Sequence, residues 1–416
     1  MKKNIHFIAA LLATTSITSA MPAQAESTDL LKKALIDDAT PYIDVRYRYE
    51  NVDQDGIAKD ANASTLRTKL GYKTGKLHDF SATLEFENVT YLGGEGFNNT
   101  INGKTIRPVV ADPDSTEVNH AFLTYTGLPD TTLQVGRQPH NLDNQRFIGT
   151  VGWRQNDQTY DSAAIINTSL PDTTLVYSYV DNVNRIFSDD HPLGNLETST
   201  HVINASYNGW KYGKLTGYGY LIDLDDAAVF GLSSKTFGVR FTGATPIKED
   251  VKLLYTAEYA RQSDHGDNPT NYNADYYALE GGAGYKGLTA KVGYEVLGSD
   301  NGGTVSFQTP LATLHAFNGW ADKFLTTPAA GLEDLYASVS YKVSGVNETV
   351  DGTQLAVAYH DFSAETGGAD YGSEWNASIG RDFMEHYSVL LKYADYNADS
   401  FATDTQKIWV QFGVKF

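Results

Sequence analysis

The sequence predicts an all-β chain, a transmembrane antiparallel β-barrel of about eighteen strands with long extracellular loops and short periplasmic turns. Three observations predict it. The first is the last strand. Ile408, Val410, Phe412, Val414 and Phe416 alternate with Lys407, Trp409, Gln411, Gly413 and Lys415. This period of two makes one face apolar and the other mostly polar. As a soluble edge such a strand would invite aggregation. In a closed barrel the last strand pairs with the first, and its apolar face meets lipid. The second observation is the recurrence of similar amphipathic segments, each of about the ten residues that a tilted barrel strand needs. The third is the strict alternation of long and short connections between them.

The elements follow in order. Lys2 and Lys3 precede an apolar run from Ile5 to Leu12, and Ala23-Gln24-Ala25 follows. Together these read as a signal peptide over 1–25, with cleavage before Glu26. Residues 26–40 read as a periplasmic N-terminal segment, with a turn or two of helix near 28–37. The barrel occupies 41–416 as one domain. Its strands are expected near 41–51, 64–73, 80–92, 117–127, 131–139, 158–167, 173–181, 198–207, 213–222, 234–244, 251–262, 273–285, 288–297, 333–343, 352–363, 371–383, 387–397 and 405–416. The connections at 51–62, 93–116, 140–157, 181–197 and 298–332 are expected to be long. Gly127-Leu128-Pro129-Asp130, Leu170-Pro171-Asp172 and Tyr285-Lys286-Gly287 are among the tight turns. If the chain starts in the periplasm, this parity returns Phe416 to the same side.

Composition agrees. The chain has no cysteine, 27 tyrosines and 18 phenylalanines. Its mean hydropathy is slightly negative, which excludes a helical membrane protein but not a barrel with a wet lumen. The formal net charge of −19 excludes nucleic acid as a partner, because that needs basic patches.

Alternation also predicts the lumen. Ile43, Val45, Tyr47 and Tyr49 oppose Asp44, Arg46, Arg48 and Glu50 in the first strand, and Leu66, Leu70 and Tyr72 oppose Arg67 and Lys69 in the second. Glu85 and Glu87 share a face of the third. Arg240, Lys252, Glu258, Lys291 and Glu295 belong to later strands. A charge facing lipid near the midplane costs about 2–4 kcal/mol, so all are expected to point inward. Between the fifth and sixth strands, Arg137, Arg146 and Arg154 accompany Asp143 and Asp161. Guanidinium groups are planar forks that pair bidentately with carboxylates. On an inward-folded loop these arginines can line a constriction, where facing rows of cations and anions sort solutes by charge. Equally, they can form a salt-bridge network that pins the loop.

The stretch Gly136-Arg137-Gln138, Leu142-Asp143-Asn144-Gln145-Arg146-Phe147-Ile148-Gly149 and Gly152-Trp153-Arg154-Gln155-Asn156-Asp157-Gln158-Thr159-Tyr160-Asp161 resembles the signature of the alginate export family of outer-membrane barrels. Val45 to Glu50, Ser64 to Tyr72 and His315 to Phe324 are similar to that family too. The final strand ending in Phe416 resembles the C-terminal signal read by the barrel-assembly machinery. The resemblance implies a monomeric barrel with inward loops and an Arg-rich lumen that passes an anionic polysaccharide. In this chain Glu85, Glu87, Glu258 and Glu295 mix with the arginines. The expected function is a porin-like channel of the cell outer membrane for passive diffusion of small hydrophilic, anionic solutes such as acidic sugars or oligosaccharides. The expected pathway residues are Arg46, Arg48, Arg67, Glu85, Glu87, Arg137, Asp143, Arg146, Arg154, Asp161 and Arg240. Lipid and lipopolysaccharide are the expected surroundings, and no cofactor or metal is expected. Alternatives are a secreted sugar-binding or adhesive β-protein, with Trp153, Trp320 and Tyr160 stacking on sugars, and a structural barrel without an open channel.

Catalysis finds little support. None of His120, His140, His265, His315, His360 and His386 stands in a metal-spaced H-E-x-x-H, and no G-x-S-x-G is present. His140 with Asp143, or Glu85 with Glu87, could be drawn as acid–base pairs, but a loop hydrogen bond and a lumen face explain them better.

Overall fold

The computed structural model describes residues 28–416, so the signal-peptide reading and its cleavage before Glu26 lie outside the described residues. A short helical segment from residue 28 ends in a π-turn at Lys33–Asp37. The strands are β1 Thr40–Gln54, β2 Ala61–Lys73, β3 Phe80–Tyr91, β4 Ser115–Leu128, β5 Thr131–Gln138, β6 Thr159–Asn167, β7 Thr173–Asn184, β8 Asn195–Trp210, β9 Gly213–Ile222, β10 Ser234–Lys248, β11 Val251–Asp264, β12 Asn273–Tyr285, β13 Leu288–Leu297, β14 Ser299–Asp300, β15 Val305–Ser306, β16 Leu332–Lys342, β17 Gln354–Ser363, β18 Asp370–Phe383, β19 Tyr387–Ala398 and β20 Thr405–Lys415.

All except β14 and β15 form one 18-stranded antiparallel sheet in which each strand pairs with its chain neighbours. β20 pairs with β1 from Asp44↔Lys415 to Gln54↔Thr405 and closes it. Closure runs to the last residue, since Ile43 and Phe416 exchange backbone hydrogen bonds of 3.0 and 2.9 Å. With no edge left, every ladder group in the bilayer has a partner. β14 and β15 form a small hairpin inside the longest loop, 298–331.

Each expected segment is a strand, and the long–short alternation holds along most of the chain, but the periplasmic connection 343–353 is longer than the external connections 364–369 and 399–404. One expected long loop is short. The connection at 51–62 shrinks to 55–60, because β1 and β2 stay paired out to Val52↔Ala61. The sheet rises above the bilayer there, where alternation loses its lipid-facing signature.

The outward face is apolar. Leu70, Leu84, Leu123, Val135, Ile165, Leu279, Val292, Leu335 and Leu391 are all exposed. Aromatic rings gather near strand ends, as in Phe80 against Tyr125 at 4.5 Å and Phe383 against Tyr387 at 5.6 Å. A soluble molecule would not leave so large a patch bare; here it is the lipid belt.

The hydrophobic core therefore lies inside the barrel. Loops 139–158 and 298–331 fold inward. Phe147 packs on Tyr218, Tyr220, Tyr276 and Phe307, with ring centroids 5.2–5.9 Å apart. Phe324 packs on Phe362 and Phe401, at 4.4 and 5.3 Å. Eighteen strands enclose more space than wall side chains can fill, and these loops fill the extracellular half.

Candidate lumen site

β1, β2 and β3 present one charged wall, and the end of loop 139–158 lies along it. Arg46 donates to Gln155 Oε1 at 2.9 Å, to the Gly152 carbonyl at 2.8 Å and to the Arg154 carbonyl. Gln155 donates to Thr65 Oγ1 at 2.8 Å. Lys69 reaches Glu87 at 3.0 Å, Glu85 at 3.5 Å and Asp157, while the Asp157 amide donates to Glu87 at 3.1 Å. Burial would push the Asp157 carboxyl up, but Lys69 and Arg67 hold it below its ordinary value. The expected Glu85–Glu87 face is thus a wall whose charges Lys69 answers. No glycosidase-like pair with room for a sugar remains.

Arg154 turns back into the plug and pairs with Glu50 at 3.2 Å, near Asp112 at 3.6 Å and Asp322 at 3.7 Å. Burial favours its neutral form, yet these three carboxylates hold its pKa above the ordinary arginine value. Arg146 is 1% exposed. It donates to Glu295 at 2.8 Å and Asn318 at 3.0 Å, and lies 4.7 Å from the Phe317 ring. Asn318 in turn donates to Glu295 and Asp334, at 2.6 and 3.1 Å. Arg146 so ties one inward loop to the other and both to β13. Asp143 accepts from Asn204 at 2.7 Å and Lys214 at 3.3 Å, which fixes the loop to β8 and β9. Arg240 pairs with Glu258 across β10 and β11.

Arg137 and Asp161 do not join this group. They sit opposite one another on β5 and β6 and pair at 2.9 Å. Arg137 shares its parity with exposed Val135, and Asp161 shares its parity with exposed Ile165. Both therefore lie on the outward face near the extracellular rim, and the expectation that Arg137 and Asp161 belong to the pathway is corrected. Gln138, Tyr160 and Ser162 take the inward positions, with His140 at 3.0 Å from Ser162 Oγ. Burial pushes His140 down to about 4, so it is a neutral loop contact and not a base for Asp143.

Sequence reasoning missed a second cluster, on β19 and β20. Lys392 Nζ lies 3.8 Å from the Trp320 ring centroid and 4.2 Å from that of Trp153. It also donates to His315 Nε2 at 2.6 Å. His315 stacks on Trp153 at 4.4 Å, and its Nδ1 lies 2.6 Å from Asp322. Lys407 also reaches Asp322, at 2.8 Å. A cation on Nε2 and a carboxylate on Nδ1 fix the neutral tautomer with its proton on Nδ1. Burial pushes His315 down to about 3. It would push Asp322 up, but His315, Lys407 and Arg154 hold that carboxyl well below the carboxylate range. The signal for Lys392 and Lys407 was their inward parity among Val389, Leu391, Ile408 and Val410.

Arg48 lies beneath, 4.0 Å over Trp153, and donates to Gln411 at 2.7 Å. Its Nε and Nη1 find no hydrogen-bond partner among the described residues. The periplasmic half stays open. One cavity of about 360 Å³ is lined by Asp44, Arg46, Arg67, Asp382 and Gln411, with Arg67 paired to Asp44 at 2.6 Å. A second, of about 480 Å³, is lined by Thr289, Ser340, Gln354, Ser378 and Gln411.

Solved barrels of the same shape exist. OccK1 (OpdK) of Pseudomonas aeruginosa superposes with a TM-score of 0.71 at 16% identity, over 92% of this chain and 99% of that one. OccAB2 of Acinetobacter baumannii gives 0.71 at 17% identity, again over 92% and 99%. At these identities the likeness speaks for the fold. No curated protein matches the chain. The sequence pattern of the alginate export family matches residues 42–294, which include the charged wall and loop 139–158. This chain is an outer-membrane β-barrel and belongs to the alginate export family.

Proposed function

We propose that the protein is a passive, water-filled channel for small hydrophilic anions, with acidic sugars and oligosaccharides as the natural class. One observation carries the reading. Among the expected arginines, Arg46 and Arg67 line the open periplasmic cavity, directly beneath the loops that narrow the lumen. A fixed cation acts most strongly where the pore is narrow and poorly screened, since the Debye length is about 8 Å at physiological salt. The family's name supports an acidic polysaccharide or its fragments. The structurally similar OpdK was crystallised with vanillate, another carboxylate, which supports anion passage through this architecture. We propose further that the barrel works as a monomer in lipid and lipopolysaccharide, and that assembly machinery reads the strand ending at Phe416.

Planar bilayers test the reading. The purified protein is expected to give discrete conductance steps with anion preference. Arg46→Gln with Arg67→Gln is expected to shift the reversal potential toward cations and to slow uronates more than neutral sugars. An unchanged preference in a folded double variant would refute the assignment. The packed loop core favours one other reading, a barrel whose resting channel is closed. Silence in bilayers, relieved by trimming 298–331, would support that one.

A further inference from the structure

The segment before β1 does not hang free in the periplasm. Ala34 is buried, and its carbonyl accepts from the Gly75 amide at 2.8 Å in the first periplasmic turn. A Cβ on Gly75 would stand 2.5 Å from the Asp38 Cβ, so turn and helix are in close contact. The hydroxyl of Tyr72 donates to the Leu35 carbonyl. Tyr72 belongs to the outward face of β2, because it alternates with inward Arg67 and Lys69 and shares its parity with exposed Leu70. The helix is therefore fastened to the outside of the rim. Fastened there, it leaves Leu30, Leu31, Leu35 and Ile36 exposed, at 44%, 45%, 43% and 67%. In water such a stripe would be a liability. Here it adjoins the lipid belt through Tyr72 and Leu70.

We infer that residues 28–38 form an interfacial helix whose apolar stripe is buried in the periplasmic leaflet, with phospholipid as its partner. A helix with an apolar face beside charged residues lies in the interface and not across the bilayer. Lys32, Lys33 and Asp37 supply those charges. The geometry makes the helix a collar at one point of the rim. It sets the depth of β1 and of the first turn in the membrane.

The chain has no cysteine, so a single introduced one takes a unique nitroxide label. Leu31→Cys, Leu35→Cys and Lys33→Cys variants of the whole protein are reconstituted in phosphatidylethanolamine/phosphatidylglycerol vesicles, with Leu70→Cys as the lipid-facing reference. Labels at 31 and 35 are expected to collide several-fold more with oxygen, relative to a water-soluble nickel complex, than the label at 33. Their ratio should approach that at 70. Equal nickel access at 31 and 33 would overturn the inference and leave the stripe to a periplasmic protein. Heat-modifiable gel mobility checks that each barrel is folded. Ile36→Cys replaces any variant that is not.

Discussion

Arg146 and Arg46 both hold loop 139–158, but only Arg46 also borders a cavity. Arg146 has Glu295 and Asn318 on its guanidinium and almost no exposure. Removing one member of a buried pair leaves the other charge uncompensated, at a cost of about 3–5 kcal/mol. Arg146→Gln is therefore expected to lower the unfolding midpoint in detergent and to free loop 139–158 to protease, with little direct effect on ion preference. Arg46 and Arg67 line the periplasmic cavity while Arg46 also holds the loop and Arg67 pairs with Asp44, and their replacement is expected to act on conduction first. Gly319 is a different kind of residue. Its φ is +85°, and a Cβ there would meet Glu374 Oε2 at 2.3 Å. Glu374 accepts from the amides of Trp320 and Ala321, at 2.5 and 2.9 Å. Gly319→Ala is expected to unseat this contact and raise amide exchange in 317–323, measured by mass spectrometry. Unchanged exchange would mean that the loop is held elsewhere.

Inward loops do what helices or a second sheet do in other folds, since 139–158 and 298–331 supply most of the core and 92–114 adds a smaller cluster of Phe97 and Val110 on Val52, Ala61 and Ala63. Phe147 sits at the centre of one aromatic cluster, and truncation of a buried Phe costs about 3–5 kcal/mol. Phe147→Ala is expected to widen the lumen and raise conductance while the barrel itself survives, because the strand ladder does not depend on that ring. Loop 298–331 also has an acid limit. Burial pushes His315 down from its ordinary 6.5 to about 3, so the folded state favours its neutral form. Asp322 is held low, so the folded state favours its charged form. Both terms stabilise the docked loop at neutral pH. The histidine term is lost as pH falls from about 6.5 toward 3, and the aspartate term below the carboxylate range. Protease cleavage within 298–331 should rise across that window, and His315→Gln should flatten its upper part.

Across the barrel, the first and last strands meet. Phe416 completes the β1–β20 seam through paired bonds with Ile43. Deleting it is expected to slow insertion and to lower the yield of the heat-modifiable form. Normal assembly of that variant would remove Phe416 from the proposed signal. The extracellular half is a packed interior and the periplasmic half an open vestibule, so selectivity is expected to be set at their junction, where Arg46 touches the backbone of Gly152 and Arg154.

The strands, their parity and the inward direction of Arg48, Arg67, Glu85 and Glu258 were legible in the sequence. A period of two is local, and lipid outside a barrel leaves charges only one way to face. For Arg137 and Asp161 the same parity points outward, against the expectation that placed them in the pathway. Leu133 and Val135 lead to Arg137, and Asp161 leads to Ala163 and Ile165, all on the lipid side, and only their place at the rim makes those charges tolerable. What the tertiary structure alone decided is the fate of the loops. Residues 139–158 and 298–331 have no period to read, and their partners stand far away in the chain, as Arg146 does from Glu295 and Lys392 from His315. Whether an arginine borders water or closes a network depends on which distant carboxylate arrives beside it. That is settled only when the sheet closes and the loops fill the space it encloses.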